Sequence, residues 1–345
     1  MPHRALSRFT LLFAASVSLS ACATSTHLSR SDPARIANRT YVITGASSGF
    51  GRGVALRLAA MHANVVLAAR RTDVLEEVAA EVRSAGGNAL VVTTDVSSQQ
   101  DIQRLADATV ARFGTIDVWI NNAGIGALGR FEDIPVEDQA RIIDVNVKGV
   151  LYGSHAAITR FRAQGGGTLV NIGSVESEIP LAYQAAYSAS KAAVLSLGRT
   201  LNEELRLSGV GKRIRVATVM PWAADTPFFT HAANYSGHAG RMIMMDDPAK
   251  VVNAILWVSL HPREELPVGW KAQGASTAYH LMPDLSEHIA ANVSHDQQMV
   301  KGSPVPPTSG NVHQPIPAGT GVEGGIRARM KAEDAARKNG ETKGH

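Results

Sequence analysis

Thr40-Tyr41-Val42-Ile43-Thr44-Gly45-Ala46-Ser47-Ser48-Gly49-Phe50-Gly51 is the stretch that decides how this chain folds. Its first five residues are apolar or β-branched and predict a short buried strand. Arg52-Gly53-Val54-Ala55-Leu56-Arg57-Leu58-Ala59-Ala60 follows with helical periodicity. Strand, glycine turn and helix in this order build a phosphate site. Glycine lets the backbone approach a pyrophosphate, and the helix N-terminus supplies free N–H groups and a positive dipole end. The spacing is Thr-Gly-x-x-x-Gly-x-Gly, not the commoner Gly-x-Gly-x-x-Gly. Thr44, Gly45, Ser47, Ser48, Gly49, Phe50 and Gly51 are the candidate phosphate-side residues.

Outward from that turn, apolar runs alternate with amphipathic ones. Strands are predicted at Thr40–Thr44, Asn64–Ala69, Ala89–Thr93, Ile116–Asn121, Thr168–Ile172 and Ile214–Met220, with helical stretches such as Asp73–Ala85 and Asp101–Phe113 between them. The alternation predicts an α/β fold, a Rossmann-type doubly wound parallel sheet in a three-layer αβα arrangement. A site then lies beyond the carboxyl ends of the strands. Asn121-Asn122-Ala123-Gly124 is a second strand-end turn, and Asn122, Ala123 and Gly124 join the candidate set.

Tyr187-Ser188-Ala189-Ser190-Lys191 places a phenol and an ammonium four residues apart on one helix face. A cation beside a phenol favours phenolate, so the Tyr187 pKa is expected to fall from about 10 toward the working range. Such a phenol passes a proton to or from an alcohol or carbonyl oxygen.

Together these pieces resemble the short-chain dehydrogenase/reductase family over roughly residues 38–270. The resemblance rests on the glycine turn, Asp95-Val96, Asn121-Asn122-Ala123-Gly124, Asn146, Ser174, Tyr187 and Lys191, all in the expected order. It implies that Ser174 orients the substrate oxygen and that Tyr187 is the acid/base. Lys191 would lower the Tyr187 pKa and bond the nicotinamide ribose, and Asn146 would hold a water linking Lys191 to solvent. Asp95 would accept from the adenine amino group, with Val96, Pro221 and Thr226 beside the cofactor. The hydride belongs to the cofactor. A homo-oligomer, dimer or tetramer, is also implied.

Cofactor choice is read at Val65-Val66-Leu67-Ala68-Ala69-Arg70-Arg71. A site selecting NAD places Asp or Glu at the Ala69 slot to bond the ribose hydroxyls. Here a methyl group stands there and two guanidinium groups follow, which predicts NADP(H), with Arg70 the leading 2′-phosphate partner and Arg71 beside it. Where the family usually has Pro-Gly, this chain has Pro221-Trp222. The exchange removes easy access to left-handed backbone and adds a ring, which either reshapes the nicotinamide pocket or forms a substrate wall. Ala223 to Asp246, with Thr226 and Phe228, reads as a substrate lid. Glu176 and Glu178 follow Ser174 and are expected to be solvent-exposed, with a cationic or hydroxylated substrate as the alternative for Glu176. Ser174, Glu176, Trp222 and Phe228 are the substrate-side candidates. No histidine pair has a compelling metal-ligand spacing with a third partner.

The chain has 345 residues, so about a hundred remain beyond one such domain. Its 34 Lys and Arg against 30 Asp and Glu leave a scattered net charge of +4, which is no nucleic-acid footprint. Arg4 and Arg8, the apolar run Phe9 to Leu19 and Leu19-Ser20-Ala21-Cys22 read as a lipoprotein-type signal. Residues 1–21 would be removed, and the lipidated Cys22 would anchor a periplasmic-side enzyme to a membrane; the alternative is a cytoplasmic protein. Export conflicts with a cofactor made in the cytoplasm, unless the cofactor travels with the protein. Residues 22–37 read as a tether, 271–302 as a helical extension and 303–345 as a Pro/Gly-rich tail, either solvated or wrapping a neighbouring subunit. The function expected is an NADP(H)-dependent oxidoreductase interconverting a carbonyl and a secondary alcohol. The alternative is a catalytically silent cofactor-binding protein at a membrane.

Overall fold

The computed structural model describes residues 26–338. In chain order its first half runs α1 (Asp32–Ile36), β1 (Thr40–Thr44), α2 (Gly49–Ala59), β2 (Asn64–Ala69), α3 (Thr72–Ser84), β3 (Asn88–Thr93), α4 (Gln99–Phe113), β4 (Val118–Asn121), β5 (Ala127–Leu128), α5 (Val136–Ile143) and α6 (Gly149–Gln164). The second half runs β6 (Gly167–Ile172), α7 (Ala185–Leu207), β7 (Ile214–Pro221), α8 (Phe228–His231), β8 (Ala233–Asn234), α9 (Pro248–Leu260), β9 (Glu265–Val268), α10 (Gly269–Leu281), α11 (Pro283–His295) and α12 (Ile326–Lys338).

Seven strands form one parallel sheet in the order β3-β2-β1-β4-β6-β7-β9. Every residue of β1 and β4 is buried, as expected of central strands covered on both faces. Tyr41, Ile43, Val65 and Leu67 pack with α2, α3 and α9 on one face. Val42, Val66 and Trp119 pack with α4, α6 and α7 on the other, around Phe161 and Leu205. Strand order reverses between β1 and β4, and at such a switch point the connections diverge to opposite faces and leave a crevice. The six strands read from the sequence are present, two with the expected bounds and four with one end shifted by one or two residues. β9, four residues long and without marked alternation, was not among them.

Two terminal readings change. The end of the expected tether is α1, whose Ile36 is fully buried while Arg35 donates to the Leu260 carbonyl. The Pro/Gly-rich segment from Ser303, expected either to be solvated or to wrap a neighbouring subunit, keeps many exposed residues but is not a free tail. It packs on this chain's own body: Asn234 exchanges backbone hydrogen bonds with Thr308, and Val312 is fully buried. Prolines and glycines form no regular element, yet their carbonyls remain free acceptors for side chains of the body.

Candidate active site

The glycine turn is built from contacts that only glycine permits. Gly45 has φ +68°, and a Cβ there would stand 2.9 Å from the Ala123 Cα. A Cβ on Gly51 would run into the Gly45 carbonyl and come within 2.7 Å of Asn122 Nδ2. The close approach couples two sequence motifs. Thr44 Oγ1 accepts the N–H groups of Asn122 (3.0 Å) and Ala123 (3.1 Å), and Asn122 Nδ2 donates to the Thr44 carbonyl at 2.9 Å. The ends of β1 and β4 are thereby locked across the switch point.

A cleft of about 1680 Å³, open mouth included, runs from this turn to α7. Gly45, Ser47, Ser48, Gly49, Phe50, Arg70, Arg71, Asp95, Val96, Asn122, Ala123 and Gly124 line it on the phosphate and adenine side. Ser174, Glu176, Tyr187, Lys191, Pro221, Trp222, Thr226 and Phe228 line it on the other. Of the expected set, Thr44, Gly51 and Asn146 stand behind the wall as supports. A nicotinamide dinucleotide fits this cleft: the glycine cradle admits a backbone-close phosphate, and Arg70 and Arg71 form no ion pair among the described residues. Burial pushes the pKa of both guanidiniums down, against the attraction of Asp95 on Arg70 and of Asp73 on Arg71. Asp95 is engaged: burial raises its pKa, but hydrogen bonds from Ser97 and Arg141, the latter at 2.6 Å, outweigh this and hold it below the usual carboxylate range.

The reactive end is a set of buried polar groups. Lys191 Nζ donates to the Ile172 carbonyl at 2.7 Å and lies 5.4 Å from the Tyr187 ring centroid. Desolvation pulls the Lys191 pKa down to about 8, against the attraction of Glu176. The Tyr187 hydroxyl is pushed well above its ordinary value, first by burial and then by the Glu176 charge, with Ser174 acting in the opposite direction. This runs against the expected lowering: in this structure burial and the Glu176 carboxylate set the direction, and the shortest contact of the Lys191 ammonium is with a carbonyl. Phe228 holds the phenol in place, with ring centroids 5.3 Å apart.

Ser174 ends the turn after β6, where its Oγ accepts the Glu176 N–H at 3.1 Å. That leaves its own O–H free to donate. Asn146 sits in a π-type turn, Asp144–Lys148, between α5 and α6. Its Oδ1 accepts from Ile125 N–H and its amide donates to the Ile125 carbonyl and to Ser190 Oγ, at 2.9, 2.9 and 3.0 Å. The side chain is thus a brace between the β4 turn and α7, with one lone pair left for a water.

Glu176 differs most from expectation. It is 8% exposed, not solvated, and Ser188 donates to its Oε2 at 2.7 Å. Burial pushes its pKa up to about 7, against Ser188 and Lys191. Its neighbour Glu178 lies within 3.8 Å of Arg199. Sequence alone gave no sign of this burial, because it arises where the short turn Val175–Ser177 tucks against α7. Trp222 does not adopt the left-handed backbone; its indole donates to the Ile243 carbonyl at 3.2 Å and walls the cleft. Phe229 and Met242, from the expected lid, complete the wall with Leu181, Gln184 and Gln298, which had no individual signal in the sequence.

The short chain dehydrogenase family profile matches residues 39–235. An uncharacterized oxidoreductase of Bacillus subtilis (strain 168), YxnA, is 31% identical over 267 residues, which cover 76% of this chain and 74% of that one. Among solved structures, an alcohol dehydrogenase from the archaeon Thermococcus sibiricus complexed with 5-hydroxy-NADP is 28% identical with a TM-score of 0.57, covering 66% of this chain and 94% of that one. The 3-ketoacyl-(acyl-carrier-protein) reductase of Brucella melitensis complexed with NADH is 31% identical with a TM-score of 0.57, covering 65% and 91%. With the profile spanning more than half the sequence and taking in the glycine turn, Ser174, Tyr187 and Lys191, the chain belongs to the short-chain dehydrogenase family.

Proposed function

We propose that this oxidoreductase interconverts a carbonyl and a secondary alcohol with NADP(H), using Tyr187 as the acid/base. The observation that carries the reading is one cleft holding Ser174, Tyr187 and Lys191 at one end and the glycine cradle with two anion-free guanidiniums at the other. The cofactor, when bound, supplies or takes the hydride. Burial keeps Tyr187 a protonated phenol, ready to give its proton to a carbonyl oxygen. Ser174 O–H donates to the same oxygen and fixes its position. The Lys191 ammonium stands close enough to offset the phenolate charge as the proton leaves.

Ala69 supports NADP(H) over NAD(H), because no carboxylate stands there to repel a 2′-phosphate. The substrate is an apolar carbonyl compound carrying a hydroxyl or ammonium group. Leu181, Trp222, Phe228 and Met242 supply the apolar walls, and Glu176 is the buried acceptor. Exposed Trp270, Leu281, Met282, Leu285 and Ile289 on α10 and α11 support a dimer or tetramer. Cys22, the anchor of the membrane-side localisation, lies outside the described residues, and that localisation stands as part of the proposal.

The test is a titration of NADPH and NADH followed by NADPH oxidation with a panel of hydroxy- and amino-ketones. NADPH is expected to bind more tightly, and Tyr187→Phe to lose at least a hundredfold in rate with cofactor affinity retained. Near-normal turnover by Tyr187→Phe, or equal affinity for both cofactors, overturns the corresponding half of the reading.

A further inference from the structure

The segment from Gly310 to Gly325 crosses the mouth of the cofactor cleft and is fastened on both banks. On the β2 bank, Arg70 donates to the carbonyls of Asn311 (2.7 Å) and His313 (2.9 Å). Arg71 donates to those of Ile316 (3.0 Å) and Ala318 (3.3 Å). His313 Nε2 lies 2.7 Å from Asp138, and Arg141 reaches the Val312 carbonyl at 3.4 Å. At the glycine turn, Gly49 N–H donates to the Gly321 carbonyl at 2.9 Å and Arg52 to that of Thr320 at 2.9 Å. On the lid bank, His231 takes both ends of the loop: its carbonyl accepts from Asn311 N–H at 2.8 Å, and its Nε2 lies 3.0 Å from the Ala318 carbonyl. Asp225, next to Thr226, then accepts the first N–H groups of α12. Buried Arg241, from the lid, pairs with Glu333 and Asp334 of that helix at 2.8 Å.

From this we infer that residues 310–325 are a strap that retains the dinucleotide, so that the cofactor is a resident group exchanged only when the strap lifts. The inference rests on the proposed NADP(H) reading. A strap that merely filled the cleft would block binding, but the space beneath it is continuous. Asn311, Pro315 and Ile316 form its roof, while the glycine turn, Asp95 and the Tyr187 end form floor and ends. Strap residues therefore face the same cleft as the glycine turn and the Tyr187 end, and do not divide it. The same guanidiniums that answer a phosphate also hold the strap. Arg70 spends one N–H of each Nη on the strap and keeps its Nε–H and one N–H on each Nη for an anion, whereas Arg71 is engaged at all three nitrogens by the strap and Ser47. Arg70 is therefore the guanidinium that can hold strap and phosphate together. A retained cofactor is what an enzyme exported away from the nucleotide pool requires.

The experiment compares NADPH release from the full chain with release from Gly319→Val and Gly310→Val. Both glycines lie in the left-handed region, φ +72° and +53°, and a side chain at either collides with His231 or its backbone neighbours. The substitutions themselves are confined to strap glycines that do not line the cleft. Release is followed by the loss of NADPH fluorescence on adding excess NADP+, with circular dichroism reporting the body's fold. The unaltered chain is expected to carry nucleotide through purification and to release it at least a hundredfold more slowly than either variant. Release within seconds from the unaltered chain overturns the strap even if neither variant folds. Equal slow release from all three also overturns it, as does tighter binding by the variants with an unchanged release rate, the mark of an inhibitory plug. Failure of the unaltered chain to bind either nicotinamide nucleotide overturns the function reading itself, and the strap with it.

Discussion

Glu176 is a residue whose ionisation the fold controls strongly. Its carboxyl is carried at about 7 in the folded chain, against roughly 4.3 in an unfolded one. Between those values the folded state holds more protons than the unfolded state, so the sign is fixed: stability falls as pH rises through the window. The loss is at most about 4 kcal/mol and is complete above the folded value. Glu176→Gln keeps the shape and the acceptor for Ser188 and removes the charge. Thermal melts of the cofactor-free chain between pH 4.5 and 7.5 should show a declining midpoint for the wild type and a flatter course for the variant. Parallel curves would mean that Glu176 is not the titrating group. Tyr187 belongs to the same cluster, and its raised value has the same origin: charge and burial together disfavour phenolate.

At the scale of elements, the turn between β1 and α2 locks two strand ends together besides lining the cleft. Gly51 is its tightest point, because the Gly45 carbonyl and the Asn122 amide occupy the space a side chain would need. Gly51→Ala must displace backbone, not a flexible side chain, at a cost of about 1–3 kcal/mol. Both a lowered melting midpoint and at least a tenfold loss of nucleotide affinity are expected, measured on the same preparation. Wild-type affinity in the variant would show that the turn tolerates opening. The π-type turn at Asn146 works the same way on α7. By bracing Ile125 and Ser190 together it sets how close Tyr187 and Lys191 stand to the β4 end.

For the whole molecule, the two ends of the chain bear on one question. No helix among the described residues is long and apolar enough to cross a membrane. The proposed membrane attachment would rest on Cys22, where several acyl chains would hold stably and a single chain only marginally. Fractionation of a bacterial host expressing wild type or Cys22→Ala checks this. Wild type should be cleaved and membrane-bound, and the variant uncleaved or released. Uncleaved wild type wholly in the soluble cytoplasm refutes the anchor. The packed α1 shortens the free spacer, since Ile36 is already part of the core.

The sequence by itself determined the sheet, the glycine turn and the order Asn146, Ser174, Tyr187, Lys191. Each of these is a local pattern: an apolar run, a glycine where the backbone must come close, a helical spacing of four. It determined equally that residue 69 carries no acid and that two arginines follow it. What the arginines touch was beyond it, because Arg70 and Arg71 meet carbonyls more than two hundred residues away in a segment whose composition predicts no element. Glu176 was beyond it for a related reason. A glutamate in a polar turn reads as solvated, and only the packing of that turn on α7 takes water away from it. Local periodicity fixes which elements form; burial and long-range acceptors, which decide ionisation and the closure of the cleft, exist only once those elements have met.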